Sequence, residues 1–272
     1  MVELVPWAQA VSVVIVSIVA GMIGALISRR SWWFVVYIAS LIFLTALVVA
    51  RLQPVVILTP PFSWFLHGRS QHVIFAAVVS FTIILRSSRS EETMSQLAFF
   101  GLVSATVLYE AAVPFVLPIY LHDQLAALQT SIDDQGVCHQ TTSYTCGPAA
   151  AVTALRHMGL TADEGELAVA MHTSPLVGTP PDVLADSLED HYANLKLCAE
   201  YRKFDGIDAL AGHEPVLAVT KIEAIEDHYV VVLNVTPAGV LIADPAQGKV
   251  YVSRSDFEHN WRNVGVTIWF GR

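Results

Sequence analysis

The sequence predicts an α+β chain in two parts: an N-terminal bundle of about four transmembrane helices over residues 1–120, and a C-terminal domain of helices followed by an antiparallel sheet over residues 136–272. Three observations predict it. The 272 residues are 54% hydrophobic and only 14% charged, too apolar and too charge-poor for a single water-soluble domain. The charge is also partitioned, with six Arg, no Lys and four acids in residues 1–120 against nine Lys or Arg and twenty acids in residues 121–272. Such a split marks two solvents. Finally, long apolar runs fill the first part, while helix signals and then β-branched runs fill the second.

Residues 11–27 are almost unbroken apolar sequence closed by Arg29 and Arg30, and residues 32–50 form a second run closed by Arg51. Both match the roughly 20 residues that a spanning helix needs. The first has no basic residue before it and no small-residue cleavage pattern after it, so it reads as retained rather than as a signal peptide. Residues 52–85 contain Pro60, Pro61, His67, Arg69 and His72, and hold one clean span at most. Residues 54–66, rich in Trp and Phe, then form an interfacial or re-entrant piece. The expected spans are about 8–28, 32–50, 68–85 and 96–120, the last kinked at its end by Pro114 and Pro118. Glu110 lies inside the fourth span, either paired within the bundle, or placed near the interface by a tilted helix, or lining a substrate or lipid pocket.

Arg29, Arg30, Arg86 and Arg89 flank the loops after the first and third spans, against Arg51 and Arg69 after the second. The positive-inside rule then places both chain ends outside the cytoplasm of a multi-pass inner-membrane protein, with the C-terminal domain extracytoplasmic. A fifth span at residues 54–66 would reverse this.

Residues 121–135 read as an acidic, polar tether. At nine minus twenty, or −11, residues 121–272 repel phosphate backbones, which argues against a nucleic-acid partner. No GxxxxGK[ST] loop is present, so no ATP is expected. Cys138, Cys146 and Cys198 form no CxxC pair, and the ten His show no zinc-ligand spacing, so neither metal nor cofactor is expected. Cys138 and Cys198 are candidates for a disulfide in an oxidising compartment.

The informative segment runs from Cys138 to Ala151. Pro148 suits the first turn of a helix that continues through apolar helix formers and stops at Gly159. Cys146 therefore stands at the helix N-terminus, where the dipole and free N–H groups favour thiolate. Gly147 is expected to clear space for a substrate carbonyl. Gln140, six residues upstream, can return through the turn and donate to an oxyanion. Residues 228–235 read as a buried β-branched strand, residues 236–239 as a turn, and residues 240–245 as the partner strand. That hairpin sets His228 and Asp244 opposite or diagonal to one another, on one face if the register sum is even. His139 is the alternative base. Residues 161–171, with Leu167 and Val169 inward, and 181–191 read as further helices; residues 215–220, 249–252 and 265–270 read as further strands.

The run Gln140-x5-Cys146-Gly147-Pro148-Ala149-Ala150 resembles the nucleophile motif of the C39 peptidases, papain-like enzymes known for removing bacteriocin leader peptides. His228 at the head of a strand and Asp244-Pro245 at the end of the next match the rest of that pattern. The resemblance covers about residues 136–271. It implies a papain-like C39 cysteine-peptidase domain with Cys146 as nucleophile, His228 as base, Asp244 orienting the His, and Gln140 in the oxyanion hole. Many relatives carry an acid where Thr145 stands. The implied partner is a peptide or protein substrate, membrane-associated or exported, beside the lipid bilayer. Two other readings stay open: a transpeptidase or transglutaminase-like acyltransferase through the same thioester, and a non-catalytic membrane scaffold.

Overall fold

The structure is a computed structural model that describes residues 4–52, 58, 70–222 and 227–271. It divides into two compact units, Met1–Ile119 and Tyr120–Arg272.

In the first unit, α1 (Leu4–Ser28), α2 (Trp33–Leu52), α3 (Ser70–Ser87) and α4 (Thr93–Ala111) are the long apolar helices. Among the described residues, four stretches are long and apolar enough to cross a membrane: Trp7–Ser28, Trp33–Ala50, Ser70–Ser87 and Thr93–Tyr120. Residues 54–66, expected to be interfacial, lie outside the described residues apart from Leu58, as do residues 68 and 69 of the expected third span. Gly24 lets α1 and α3 approach closely, since a Cβ there would sit 2.7 Å from the Phe81 carbonyl oxygen. Glu110 is buried in the bundle and accepts from His72 Nδ1 at 2.6 Å, which is the paired alternative for this residue. After it the helix widens into a π turn, Ala112–Val116, around Pro114. Proline has no N–H for the carbonyl four residues back, and a π turn absorbs that irregularity. A final α-helical turn, α5 (Leu117–Tyr120), follows.

In the second unit, residues 121–135 do not form a free tether. Helix α6 (His122–Ala126) buries Leu125 against the unit, and strand β1 (Ser131–Ile132) pairs with β2 (Cys138–His139). The apolar Leu121, Leu125 and Leu128 offered a helical signal in a segment whose acids and polar residues suggested a linker. Three larger helices follow: α7 (Cys146–His157), α8 (Glu164–Ala170) and α9 (Pro181–His191). In α8, Leu167 is buried as expected, but the second fully buried apolar side chain is Ala168, and Val169 is half-buried.

The sheet has the order β3-β8-β4-β5-β6-β7 and is antiparallel throughout, with β3 (Leu197–Lys203), β4 (Val216–Lys221), β5 (Asp227–Val235), β6 (Gly239–Asp244), β7 (Gly248–Ser253) and β8 (Trp261–Phe270). Helix α7 packs on the central strands and α9 on β3. Val216, Ala218, Val230, Val232, Val240 and Ile242 form one core face with Phe257 and Trp261. Phe257 arrives on α10 (Arg254–Asn260), whose Ser253 cap accepts from Asp256 N–H at 3.2 Å. Sequence reading missed β3 and α10. Strand β3 is an edge strand with polar side chains in its second half, and α10 is only seven residues long, so neither shows a strong apolar period.

Candidate active site

Cys146 begins α7, 8% exposed, after a turn closed by side chains rather than by a helix cap. The buried Thr145 hydroxyl accepts from Thr142 N–H at 3.1 Å. Gly147 behind the sulfur is not open to substrate as expected: a Cβ there would lie 3.1 Å from Thr179 Cβ and 3.5 Å from Leu184 Cδ1. Its small size serves packing. Thr179 is itself anchored, because its carbonyl accepts from the buried Tyr229 hydroxyl at 2.9 Å.

His228 and Asp244 come together through a register that the turn alone would not produce. At the hairpin tip Val235 faces Val240 and Asn234 faces Leu241; continued regularly, this ladder would set His228 and Asp244 on opposite faces. A bulge at Leu233 takes up one residue, so that Val232 faces Ile242 and Val231 faces Ala243. Asp244 then lies across from Val230 and diagonal to His228, on one face. Their side chains meet with His228 Nε2 2.8 Å from Asp244 Oδ1, and both are buried.

The Asp244 carboxylate also accepts from Ala246 N–H at 2.7 Å and Gln247 Nε2 at 3.2 Å. Burial works to raise its pKa, but the His228 hydrogen bond and these donors prevail and hold it below the usual carboxylate value. For His228, burial works downward; the hydrogen bond to Asp244 and the adjacent Cys146 outweigh it and raise the imidazole to about 9. The imidazolium is therefore the resting form near neutral pH. With Nε2 committed to Asp244, Nδ1 is the nitrogen left for the sulfur.

Gln140 leaves β2 and enters the turn toward Cys146. Its N–H donates to the Pro245 carbonyl at 3.0 Å, so the residue is tied to the turn just after Asp244. Its side-chain Nε2 donates to the Thr142 carbonyl at 2.9 Å, which fixes the amide's orientation and leaves one N–H over. Its Oε1 is buried without a hydrogen-bond partner among the described residues.

The other candidates fall away. His139 pairs with Asp133 at 3.3 Å rather than serving the sulfur. All three cysteines are free, so the possible Cys138–Cys198 disulfide is absent. Burial, with help from Glu164 and Asp163, pushes the Cys138 thiol up to about 12, a poor nucleophile. Sequence reading missed the polar scaffold of Thr142, Thr145, Thr179, Tyr229 and Gln247. Only the Asp244-x-x-Gln247 spacing hinted at any of it. A cavity of about 290 Å³ opens beside the His–Asp pair, lined by Thr220, Gln247, Phe257 and Asn260 among others.

Among solved structures, a double glycine motif protease from an AMS/PCAT transporter, in complex with its leader peptide, is similar at 16% identity and a TM-score of 0.43, over 52% of this chain and 94% of that one. The peptidase domain of Streptococcus ComA is similar at 18% identity and a TM-score of 0.41, over 49% and 96%. An uncharacterized protein of Methanothermobacter thermautotrophicus is 29% identical over 134 residues, 49% of this chain and 88% of that protein. One from Methanothermobacter marburgensis is 27% identical over 130 residues, 48% and 85% respectively. The family model for the Peptidase C39 family matches residues 134–271, half of the chain, and coincides with the helices and sheet that assemble around Cys146, His228 and Asp244. The chain belongs to the Peptidase C39 family and is a cysteine peptidase.

Proposed function

We propose that this protein is a membrane-bound cysteine peptidase that cleaves a peptide or protein substrate at the membrane surface, with Cys146, His228 and Asp244 as its triad and Gln140 in the oxyanion hole. The observation that carries the reading is the 2.8 Å His228–Asp244 contact, together with an imidazole raised to about 9 by Asp244 and Cys146. A histidine held by a carboxylate beside a cysteine at a helix N-terminus is the arrangement that activates a thiol nucleophile.

The Cys146 sulfur forms a bond to the substrate carbonyl carbon, and the carbonyl π electrons move onto oxygen. The Gln140 side-chain N–H and the Cys146 backbone N–H, one of the free donors at the start of α7, receive that oxyanion. Collapse breaks the C–N bond, and His228 gives its proton to the departing amine, leaving a thioester. His228 then takes a proton from water as the water attacks the thioester, releasing the acid and restoring thiolate and imidazolium. Asp244 holds the plane of the imidazole throughout and stabilises it whenever it is protonated.

The four apolar helices of spanning length among the described residues support the membrane location, and the Arg distribution favours an extracytoplasmic catalytic domain, residues 136–272. Cys146→Ala tests the chemistry. Cleavage, read by comparing new N-termini in cells producing the wild type or the variant, is expected to fall by at least about 10³-fold with the fold retained. Cleavage that persists in the folded variant would remove the nucleophile.

A further inference from the structure

Glu164, the first residue of α8, is a fully buried carboxylate that the mechanism above does not use. Its Oε1 accepts from Thr141 N–H at 2.9 Å, and its Oε2 accepts from the Thr141 hydroxyl at 2.6 Å. Among the described residues, its side-chain hydrogen bonds come from this one neutral residue. Taking a carboxylate out of water without a cation opposes folding. Here it secures the residue directly after Gln140. On the other side, Gln140 N–H is bound to the Pro245 carbonyl. Gln140 is thus clamped between the turn that follows Asp244 and the Glu164 carboxylate.

Glu164 is itself fixed in place. Its N–H donates to Thr130 Oγ1 at 2.8 Å, and that hydroxyl donates to Asp163 Oδ2 at 2.7 Å. Next to it, Gly165 packs so closely that a Cβ would stand 2.7 Å from the Leu125 carbonyl oxygen. The clamp therefore rests on residues 125–130, which precede the 134–271 match to the family model.

We propose that Glu164 is a positioning residue for peptide hydrolysis, holding Thr141 so that the Gln140 amide stays aimed at the oxyanion beside Cys146. The proposal rests on the assignment of Cys146 and Gln140 made above. Glu164 touches neither substrate nor sulfur and acts through Thr141. Releasing Thr141 lets the Gln140 peptide rotate, and a donor displaced by about 1 Å loses much of its value to a charge that develops only in the transition state.

Two reagents separate this role from a general loss of structure, applied to the full chain in lipid nanodiscs. Iodoacetamide forms a carbon–sulfur bond as iodide leaves and creates no oxyanion; a peptide aldehyde accepts the sulfur at its carbonyl carbon and does create one. Glu164→Ala is expected to keep the alkylation rate within about 2-fold and to weaken aldehyde binding about 10-fold, a fraction of the roughly 100-fold effect of deleting an oxyanion donor outright. Glu164→Gln, whose amide oxygen still accepts from Thr141 N–H, restores most of that loss. In a Gln140→Ala background, Glu164→Ala adds nothing. Equal loss with both reagents, or an additive loss in the Gln140→Ala background, overturns the proposal. If Glu164→Ala does not fold, Thr141→Ala removes the 2.6 Å bond, along with the hydroxyl's 3.2 Å contact to the Gln129 carbonyl, keeps the Thr141 N–H bond to Glu164 and carries the same comparison, and equal loss with both reagents again overturns it. Aldehyde binding undiminished by Cys146→Ala overturns the nucleophile assignment and the Glu164 role with it, a result distinct from the other two.

Discussion

Asp244→Asn keeps the shape of the His228 partner and removes its charge. His228 stands at about 9 against burial that acts downward, so the Asp244 and Cys146 contributions together exceed the net rise from 6.5. At about 1.36 kcal/mol per unit, that rise corresponds to about 3 kcal/mol favouring the charged pair in the folded state. Because the folded pKa lies above the unfolded one, this stabilisation is complete below pH 6.5 and disappears as pH rises through about 9. With the carboxylate gone, Cys146 alone opposes burial and His228 falls from about 9 toward 6.5. At pH 8 an imidazole with a pKa of about 9 is roughly 90% protonated and one at about 6.5 is roughly 3% protonated, a loss of about 30-fold in the catalytic form. Cleavage at pH 8 should fall by up to about that much, and the alkaline limb of its pH profile should move down from about 9. A substrate-free arm is available: the melting temperature of the wild type should drop between pH 8 and 10, and that dependence should flatten in the variant. An alkaline limb still near 9, with activity within about 2-fold of wild type, would refute the reasoning.

Other outcomes follow from the same coordinates. Gly165→Ala places a Cβ 2.7 Å from the Leu125 carbonyl oxygen, so thermal melts should show a loss of about 1–3 kcal/mol as α6 is pushed from α8. Glu110→Ala removes the 2.6 Å contact to the partly buried His72 and should destabilise the helical unit by roughly 1–3 kcal/mol in detergent unfolding, with Glu110→Gln milder. A topology reporter fused after Arg272 should signal from outside the cytoplasm, and a cytoplasmic signal would reverse the Arg-based orientation.

Much of the architecture was legible because it rests on local regularities. Apolar runs of spanning length marked the helices of the first unit, Pro148 and Gly159 bracketed the helix behind Cys146, and β-branched runs on either side of residues 236–239 marked the β5–β6 hairpin. Short, polar or edge elements were not legible, as α6, α10 and β3 illustrate. Their formation depends on what they pack against. Gly147 misled for the same reason: a glycine beside a sulfur looks like room for substrate until Thr179 is found filling it.

By itself, then, the sequence determined which residues are available for the chemistry: a cysteine at a helix N-terminus, and a histidine and an aspartate sixteen residues apart on paired strands. Only the tertiary structure decided that these two side chains share a face, because the turn's own register separates them and the bulge at Leu233 reverses the result. Register is a property of two strands and the core they cover, and no pattern within either strand specifies it. The same holds for Gln140, held between Pro245 and the Glu164–Thr141 clamp, 105 and 24 residues distant along the chain. Hydrogen bonds across such separations form only once packing has brought the elements together.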